Sequence, residues 1–351
     1  MSLVLSFTQL IRVPTMGEHP TVILLMRKKM PYNYSIERLF ESLEPLLSTR
    51  FEIRVVHVPF CGTSPVSFIR NLIFTARLHA DVIHVTGDIH YCALAIPRRR
   101  CVLTIMDLVS LNRLRGARKR IFSFIWYSVP LRWAGHITAI SEETRRQLEE
   151  NYPSTFNRVT VVPCSVDPAF EHNPRLARAS TDSQRLLQVG TGANKNLDRV
   201  ATAASSLPLH FRIIGPLSHD QRKLLSSLDL EWSSAEQLST EELIKEYQES
   251  DALAFVSTYE GFGLPVVEAQ AIGLPILTSN IEPMEDVAGE GALLVNPYDE
   301  IEIRSGLREL LNSPDLSRSL VSLGKSNAER FSAKNVAGKY AGIYGDILKH
   351  C

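Results

Sequence analysis

The chain has 351 residues, 44% hydrophobic and 22% charged, with 38 basic and 38 acidic side chains and a formal net charge of zero. This composition excludes a disordered or low-complexity chain, and the length points to two domains. The charge is unevenly spread. Residues 1–170 carry 21 Lys and Arg against 13 Asp and Glu, and residues 171–351 carry 17 against 25, so the first half is expected to meet something anionic. Cys61, Cys92, Cys101, Cys164 and Cys351 show no CxxC or Cys/His spacing, which argues for reduced thiols and against a disulfide framework or zinc site. No apolar run approaches the ~20 residues that span a bilayer. The apolar start MSLVLSFTQLI lacks a basic n-region and a cleavage site, so it reads as a loose extension and the expected location is cytoplasmic.

Short apolar, β-branched runs then alternate with helical patterns. TVILLM (21–26) reads as a buried strand, and 34–47 as a helix with apolar residues at three- and four-residue intervals. Strands are expected at 51–58, 80–87, 100–108, 136–141 and 158–163, with a helix over 67–79. Ser141 stands where an N-cap belongs, ahead of EETRRQLEE with acidic residues in its first turn. Residues 167–184 have no periodicity and read as a linker. The pattern restarts with strands at 185–190, 210–215 and 252–257 and helices at 197–207 and 239–251. VVEAQAIG (helix), PILTS and GALLVNP (strands) follow, and 299–349 is helical in pattern. This alternation predicts an α/β chain of two Rossmann-like, doubly wound parallel-sheet domains facing across a cleft. The boundaries are set at 1–170 and 185–330, with a linker at 171–184 and a terminal helix, 331–351, packing back toward the first domain. Ligands of such sheets bind at the carboxyl ends of the strands.

Two loops there carry chemistry. GTGANKNL (190–197) lies between a strand and a helix. Gly190, Thr191 and Gly192 let the main chain approach an anion, Lys195 adds a positive charge, and Asn196 leads into the helix N-terminus. Its spacing fits neither a Walker A loop nor GxGxxG, and a glycine turn with a surface lysine explains it equally well. YEGFGLPVVEAQAIGLP (259–275) is more specific. Glu260 sits at the sheet's edge in the turn after the strand, Gly261, Phe262, Gly263 and Leu264 offer main-chain N–H groups, and Glu268 follows on the next helix. Carboxylates accept hydrogen bonds from paired hydroxyls, so one suits a hexose and the other a ribose. A capped turn plus a solvated glutamate is the competing account.

The segment resembles the E-x(7)-E region of retaining GT-B-fold enzymes of glycosyltransferase family 4, the group 1 glycosyl transferases. VGTGANKNL, RIIGPL, STEELIKEYQESDALAFVSTYEGFG and SNIEPMEDVAGEGALLVNP agree with that family in order and spacing over nearly all of 185–300. SIERLF, IHVTGDIHY, LTIMDL, ITAISEET and VVPCSVD extend the likeness more loosely through 21–170. The resemblance implies transfer of a hexose from a nucleotide-diphosphate sugar (UDP-, GDP- or ADP-linked) to a hydroxyl of a glycan or lipid-linked acceptor, with retention. Lys195 would neutralise the diphosphate, Glu260 bind the donor sugar and Glu268 the ribose, with base recognition by main chain near 231–239. Neither a metal nor another cofactor is implied, and the chain has no DxD motif.

The chain departs from the family pattern where many members read THDL. Met106 takes the place of a histidine that contacts the donor sugar, and a thioether moves no proton. His90, Asp107 and Ser141 are the remaining acceptor-side candidates, and Thr191 stands where some relatives carry arginine. Met106 keeps open a second reading, a catalytically weakened GT-B binding or scaffold protein. A phosphorylase would need a lysine-bound pyridoxal phosphate, for which the tail shows no motif. LNRLRGARKRIFSFIWYSVPLRWAG (111–135) mixes basic and aromatic residues and suits an anionic membrane surface at the inner face, where lipid-linked acceptors occur. The competing reading makes its aromatics core and its charges a solvated face. Nucleic acid is not expected, since no recognised module for it appears.

Overall fold

The computed structural model describes residues 19–28, 35–61, 64–108, 111, 115–175 and 183–350. The expectations for the first 18 residues, for Arg113 and for 176–182 of the linker fall outside them. The chain folds as two compact units. The first holds the described residues up to Ala139, Thr144–Val162 and those from Ala337 on; the second holds Ile140–Glu143 and Pro163–Val336.

The first unit is a six-stranded sheet of β1 (Thr21–Met26), β2 (Glu52–His57), β3 (Val82–Val85), β4 (Cys101–Ile105), β5 (His136–Ala139) and β6 (Val159–Val161). Its order is β2-β1-β3-β4-β5-β6, and every pair is parallel. Parallel strands covered by helices on both faces need continuous apolar runs, and five of the six residues of TVILLM are buried. A polar seam crosses this apolar sheet. Tyr344 Oη lies 2.7 Å from His84 Nδ1, His84 Nε2 lies 2.6 Å from Thr104 Oγ1, and Thr104 Oγ1 lies 2.6 Å from Thr138 Oγ1. All four side chains are fully buried. Phe40 and Tyr340 pack on the His84 ring at 5.2 and 5.1 Å. Tyr340 and Tyr344 lie on the last helix, Ala333–Lys349, so that helix completes the core of the first unit.

The second unit holds β7 (Gln184–Val189), β8 (Leu209–Ile214), β9 (Glu231–Ala235), β10 (Ala252–Phe255), β11 (Ile276–Ser279) and β12 (Leu293–Val295), in the order β12-β11-β10-β7-β8-β9. All pairs are again parallel. Renumbered within the unit this is 6-5-4-1-2-3, the mononucleotide-binding Rossmann order, and it reverses between β7 and β10. Leu186, Val200, Phe211, Ala254, Leu277 and Leu307 belong to its core.

Three segments hold elements that the sequence reading does not name. Within the expected linker, Asp167 caps the short helix Pro168–Glu171 by accepting from Ala169 N at 2.9 Å. A helix, His219–Ser227, and the edge strand β9 occupy a stretch where none was expected. The basic-aromatic stretch forms the helix Gly116–Ser123, a π-turn over Phe124–Ser128 and the helix Val129–Trp133.

Candidate functional site

Because β7 and β10 are neighbours at the reversal of strand order, the loops leaving their carboxyl ends meet. After β7 the chain turns at Gly190, whose φ of +92° suits glycine. A Cβ there would stand 2.8 Å from Lys195 Cε, so the bare backbone is what lets Lys195 fold over the loop. Lys195 lies in the 3-10 turn Ala193–Lys195. Its Nζ donates to Glu260 Oε1 at 2.6 Å and sits 4.5 Å from the centre of the Phe255 ring. The two charged side chains are only 20% and 13% exposed. A pair in that setting is held far more firmly than one on an open surface, and neither charge is readily left alone. Asn194 Nδ2 donates to Glu260 Oε1 at 3.2 Å and to Tyr259 O at 2.9 Å, while Asn194 O accepts from Thr258 N at 2.8 Å. Glu260 is thus held by two donors from the other loop.

Asn196 and Thr191 shape this loop. Asn196 is buried with φ 58°, and its two amide hydrogens are committed to Val256 O (3.0 Å) and Pro297 O (2.7 Å). Its side chain fastens the loop to the end of β10 and to Pro297. Thr191 Oγ1 donates to Pro216 O at 2.5 Å, and Thr191 O accepts from Gln221 Nε2 at 2.8 Å. Gly192 lies in the same turn.

Beyond Glu260, Gly263 is the N-cap of the helix Leu264–Ile272. Phe262 is buried edge-on against Phe331, ring centres 5.5 Å apart. Gly261 O accepts from Ser141 Oγ at 3.0 Å, so the structure brings Ser141 to this glycine loop within the second unit. The helix N-terminus directs its positive dipole end at the loop. Glu268 lies further along the helix, and the phenol of Tyr247 donates to its Oε2 at 2.7 Å. Burial, then the charge of Glu268, push the Tyr247 phenol well above its usual range, so it stays a donor at any working pH.

The other candidates belong to the first unit. Met106 and Asp107 follow β4 and are half-buried. Asp107 O accepts from Tyr127 Oη at 3.3 Å. His90 is buried in the 3-10 turn His90–Ala95 with its ring against Tyr127 at 5.0 Å, and its Nδ1 donates to Trp126 O at 3.1 Å. Burial lowers its pKa to about 4 against the opposing effects of Asp88 and the Trp126 carbonyl. His90 is therefore neutral near pH 7, with its ring packed against the π-turn. That turn divides the basic-aromatic stretch. Phe122 stacks on Trp126 at 4.9 Å and Tyr127 is buried, whereas Ile121 and Phe124 stay exposed, close in sequence to the exposed Arg118, Lys119 and Arg120, and Trp133 stays exposed next to Arg132. Among the described residues no group of three or more His, Cys, Asp or Glu is arranged to hold a metal ion, and no helix is long and apolar enough to cross a membrane.

Asn194 and Tyr247, which hold Glu260 and Glu268, are side chains of the candidate site that the sequence reading does not name. Asn194 adjoins Lys195 in the ANKN turn, a usable signal. Tyr247 lies 21 residues before Glu268, and nothing local links them.

Two doubly wound parallel domains, the second with a charged pair at its switch point, define a GT-B-type α/β protein. The family model described as Glycosyltransferase Family 4 matches residues 32–170, and that described as Glycosyl transferases group 1 matches 171–327. The chain belongs to this glycosyltransferase family. It is similar to an MMP alpha-(1->4)-mannosyltransferase of Mycolicibacterium hassiacum, 28% identical over 249 residues. That match covers 62% of this chain and 59% of the relative's length. The fold is shared with a glycosyltransferase from Rickettsia africae (TM-score 0.77, 16% identity, 95% of this chain and 100% of the other). It is shared also with HepE of Anabaena, solved in complex with UDP and glucose (TM-score 0.75, 14% identity, 93% and 100%).

Proposed function

We propose that the chain is a retaining glycosyltransferase that moves a hexose from a nucleotide-diphosphate sugar to a hydroxyl of a glycan or lipid-linked acceptor, in cell-surface polysaccharide or glycolipid synthesis. The observation that carries this is the Lys195–Glu260 pair at the switch point of a nucleotide-type sheet, framed by Gly190 and the N-terminus of helix Leu264–Ile272. The named complex of HepE with UDP and glucose, and the relative named as an alpha-mannosyltransferase, favour the same reading.

Lys195 neutralises the diphosphate and stabilises the departing oxygen as the glycosidic bond breaks. Main-chain N–H groups of Gly261, Phe262, Gly263 and Leu264, together with the helix dipole, hold the phosphates or a sugar hydroxyl. Glu260, kept in place by Asn194, receives hydroxyls of the donor hexose, and Glu268, oriented by Tyr247, receives those of the ribose. The acceptor hydroxyl attacks on the face the diphosphate leaves, and a diphosphate oxygen takes its proton, so the anomeric configuration is kept. No metal or other cofactor enters this scheme, since Lys195 supplies the charge. The exposed Ile121, Phe124 and Trp133 among basic residues would rest on an anionic membrane at the inner face, where a lipid-linked acceptor is reached.

A panel of UDP, GDP, ADP and their sugar conjugates tests the donor through the rise in Tm that binding produces. Lys195→Ala or Glu260→Ala should lower transfer by about 10²–10³ with the fold retained. Full transfer in both would refute the proposal. Met106 favours a second reading, a binding or scaffold protein with weakened turnover. Met106→His decides between them: a large gain in transfer supports weakened turnover, and robust wild-type transfer eliminates it.

A further inference from the structure

At the amino ends of the strands in the first unit, the chain gathers positive charge around a hollow. Arg98 and Arg99 lie in the 3-10 turn that leads into β4, Gly135 and His136 stand at the entry to β5, and Ile347 and His350 lie at the end of the last helix. These residues line a cavity of about 520 Å³, a volume usual for small-molecule sites. Its frame is main chain. A Cβ on Gly135 would stand 2.2 Å from Arg98 O, so the two segments touch backbone to backbone.

The charge here is poorly balanced. No carboxylate among the described residues pairs with Arg98 or Arg99, and both side chains are exposed at the rim. Asp346 is the carboxylate that faces His136, and Lys349 already engages it at 2.9 Å. Like charges act on one another: Arg98 opposes the charge of Arg158, and His350 opposes protonation of His136. An incoming anion would relieve both repulsions.

We infer that this cavity is a phosphoryl-binding site, with Arg98 and Arg99 as guanidinium forks and His136 and His350 as further donors, for a phosphorylated small molecule or a phospholipid headgroup. Guanidinium matches phosphate oxygens two at a time, which a single lysine does not. The site lies at the opposite strand ends from His90, Met106 and Asp107, and it does not rest on the proposed sugar transfer.

The test compares the full chain with its Arg98→Ala/Arg99→Ala variant, whose changes fall on exposed side chains. Thermal shifts are measured with inorganic phosphate and, as a separate control on the donor loops, with UDP. Co-sedimentation is measured with vesicles of phosphatidylglycerol and of phosphatidylcholine. Phosphate should raise Tm of the wild type, and that rise should fall at least threefold in the variant with any UDP response unchanged. Loss of phosphatidylglycerol retention in the variant assigns the phosphoryl group to a lipid. Unchanged retention with a lost phosphate response assigns it to a soluble phosphate ester. Equal phosphate response and equal retention in both proteins overturn the inference.

Discussion

In the variant Gly190→Ala the new Cβ would meet Lys195 Cε at 2.8 Å and its Cγ and Cδ at 3.1 Å, on a backbone with φ of +92°. A non-glycine residue held in that region costs ~1–3 kcal/mol, which in a protein of this size lowers Tm by roughly 2–4 °C per kcal/mol. The clash itself is relieved cheaply, because a lysine stem swings aside. In doing so it draws Nζ off Glu260 Oε1 and off the Phe255 ring. The fold is therefore expected to survive while the diphosphate of the proposed donor loses the charge partner proposed for it. Removing one such electrostatic contact typically costs about 10²–10³ in rate. The assay is kcat for sugar transfer, with circular dichroism as the fold control, in Gly190→Ala, Lys195→Ala and the double variant. If Gly190 acts through Lys195, the double variant is no slower than Lys195→Ala. Additive losses, or wild-type kcat in Gly190→Ala, would refute the reasoning.

Tyr247→Phe should weaken nucleotide binding about tenfold by titration, since a hydrogen bond to a charged group contributes ~1.5–3 kcal/mol; an unchanged Kd would separate Tyr247 from the site. Transfer should persist in EDTA, because Lys195 is assigned the charge that a metal would supply; loss of activity restored by a divalent cation would reverse that assignment. Acid should destabilise the fold before carboxylates titrate. Burial lowers the pKa of His84 to about 3 and of His90 to about 4, so between pH 7 and 5 the unfolded chain takes up protons that the folded one does not. Stability is full above about pH 6.5 and is lost on acidification, by ~2 kcal/mol for each of the two at pH 5. His136 and His210, also lowered by burial, act in the same sense. Urea midpoints that do not fall from pH 7 to 5 would contradict this.

The strands were readable because a parallel strand covered on both faces is mostly apolar, as TVILLM and ALAF are. β9 escaped notice for the opposite reason. EWSSA is an edge strand paired with β8 alone, has no fully buried residue, and so shows no apolar pattern. The helix before it buries only Leu225, although the Ser218–Gln221 capping box was visible in SHDQ. Within the site, the glycines, Lys195, Glu260 and Glu268 stood out by type and spacing. That Lys195 grips Glu260 did not, since the residues lie 65 apart and meet only because β10 is inserted beside β7. Asn196 shows the limit of spacing from the other side: its position in the loop was legible, but the two carbonyls that claim its amide were not.

The seam from Tyr344 through His84 to Thr138 bears on how the protein is made. His84 and Tyr344 are 260 residues apart, and the whole second unit is translated between them. A ribosome that has finished the strands of the first sheet has not yet made Tyr340, Tyr344 or Ile347, which fill its core. The first unit must wait with an apolar face open while the second folds, then close a very long loop at the end, a step that is slow and exposed to aggregation. Truncation before residue 337 should thus injure the half of the protein that was synthesised first.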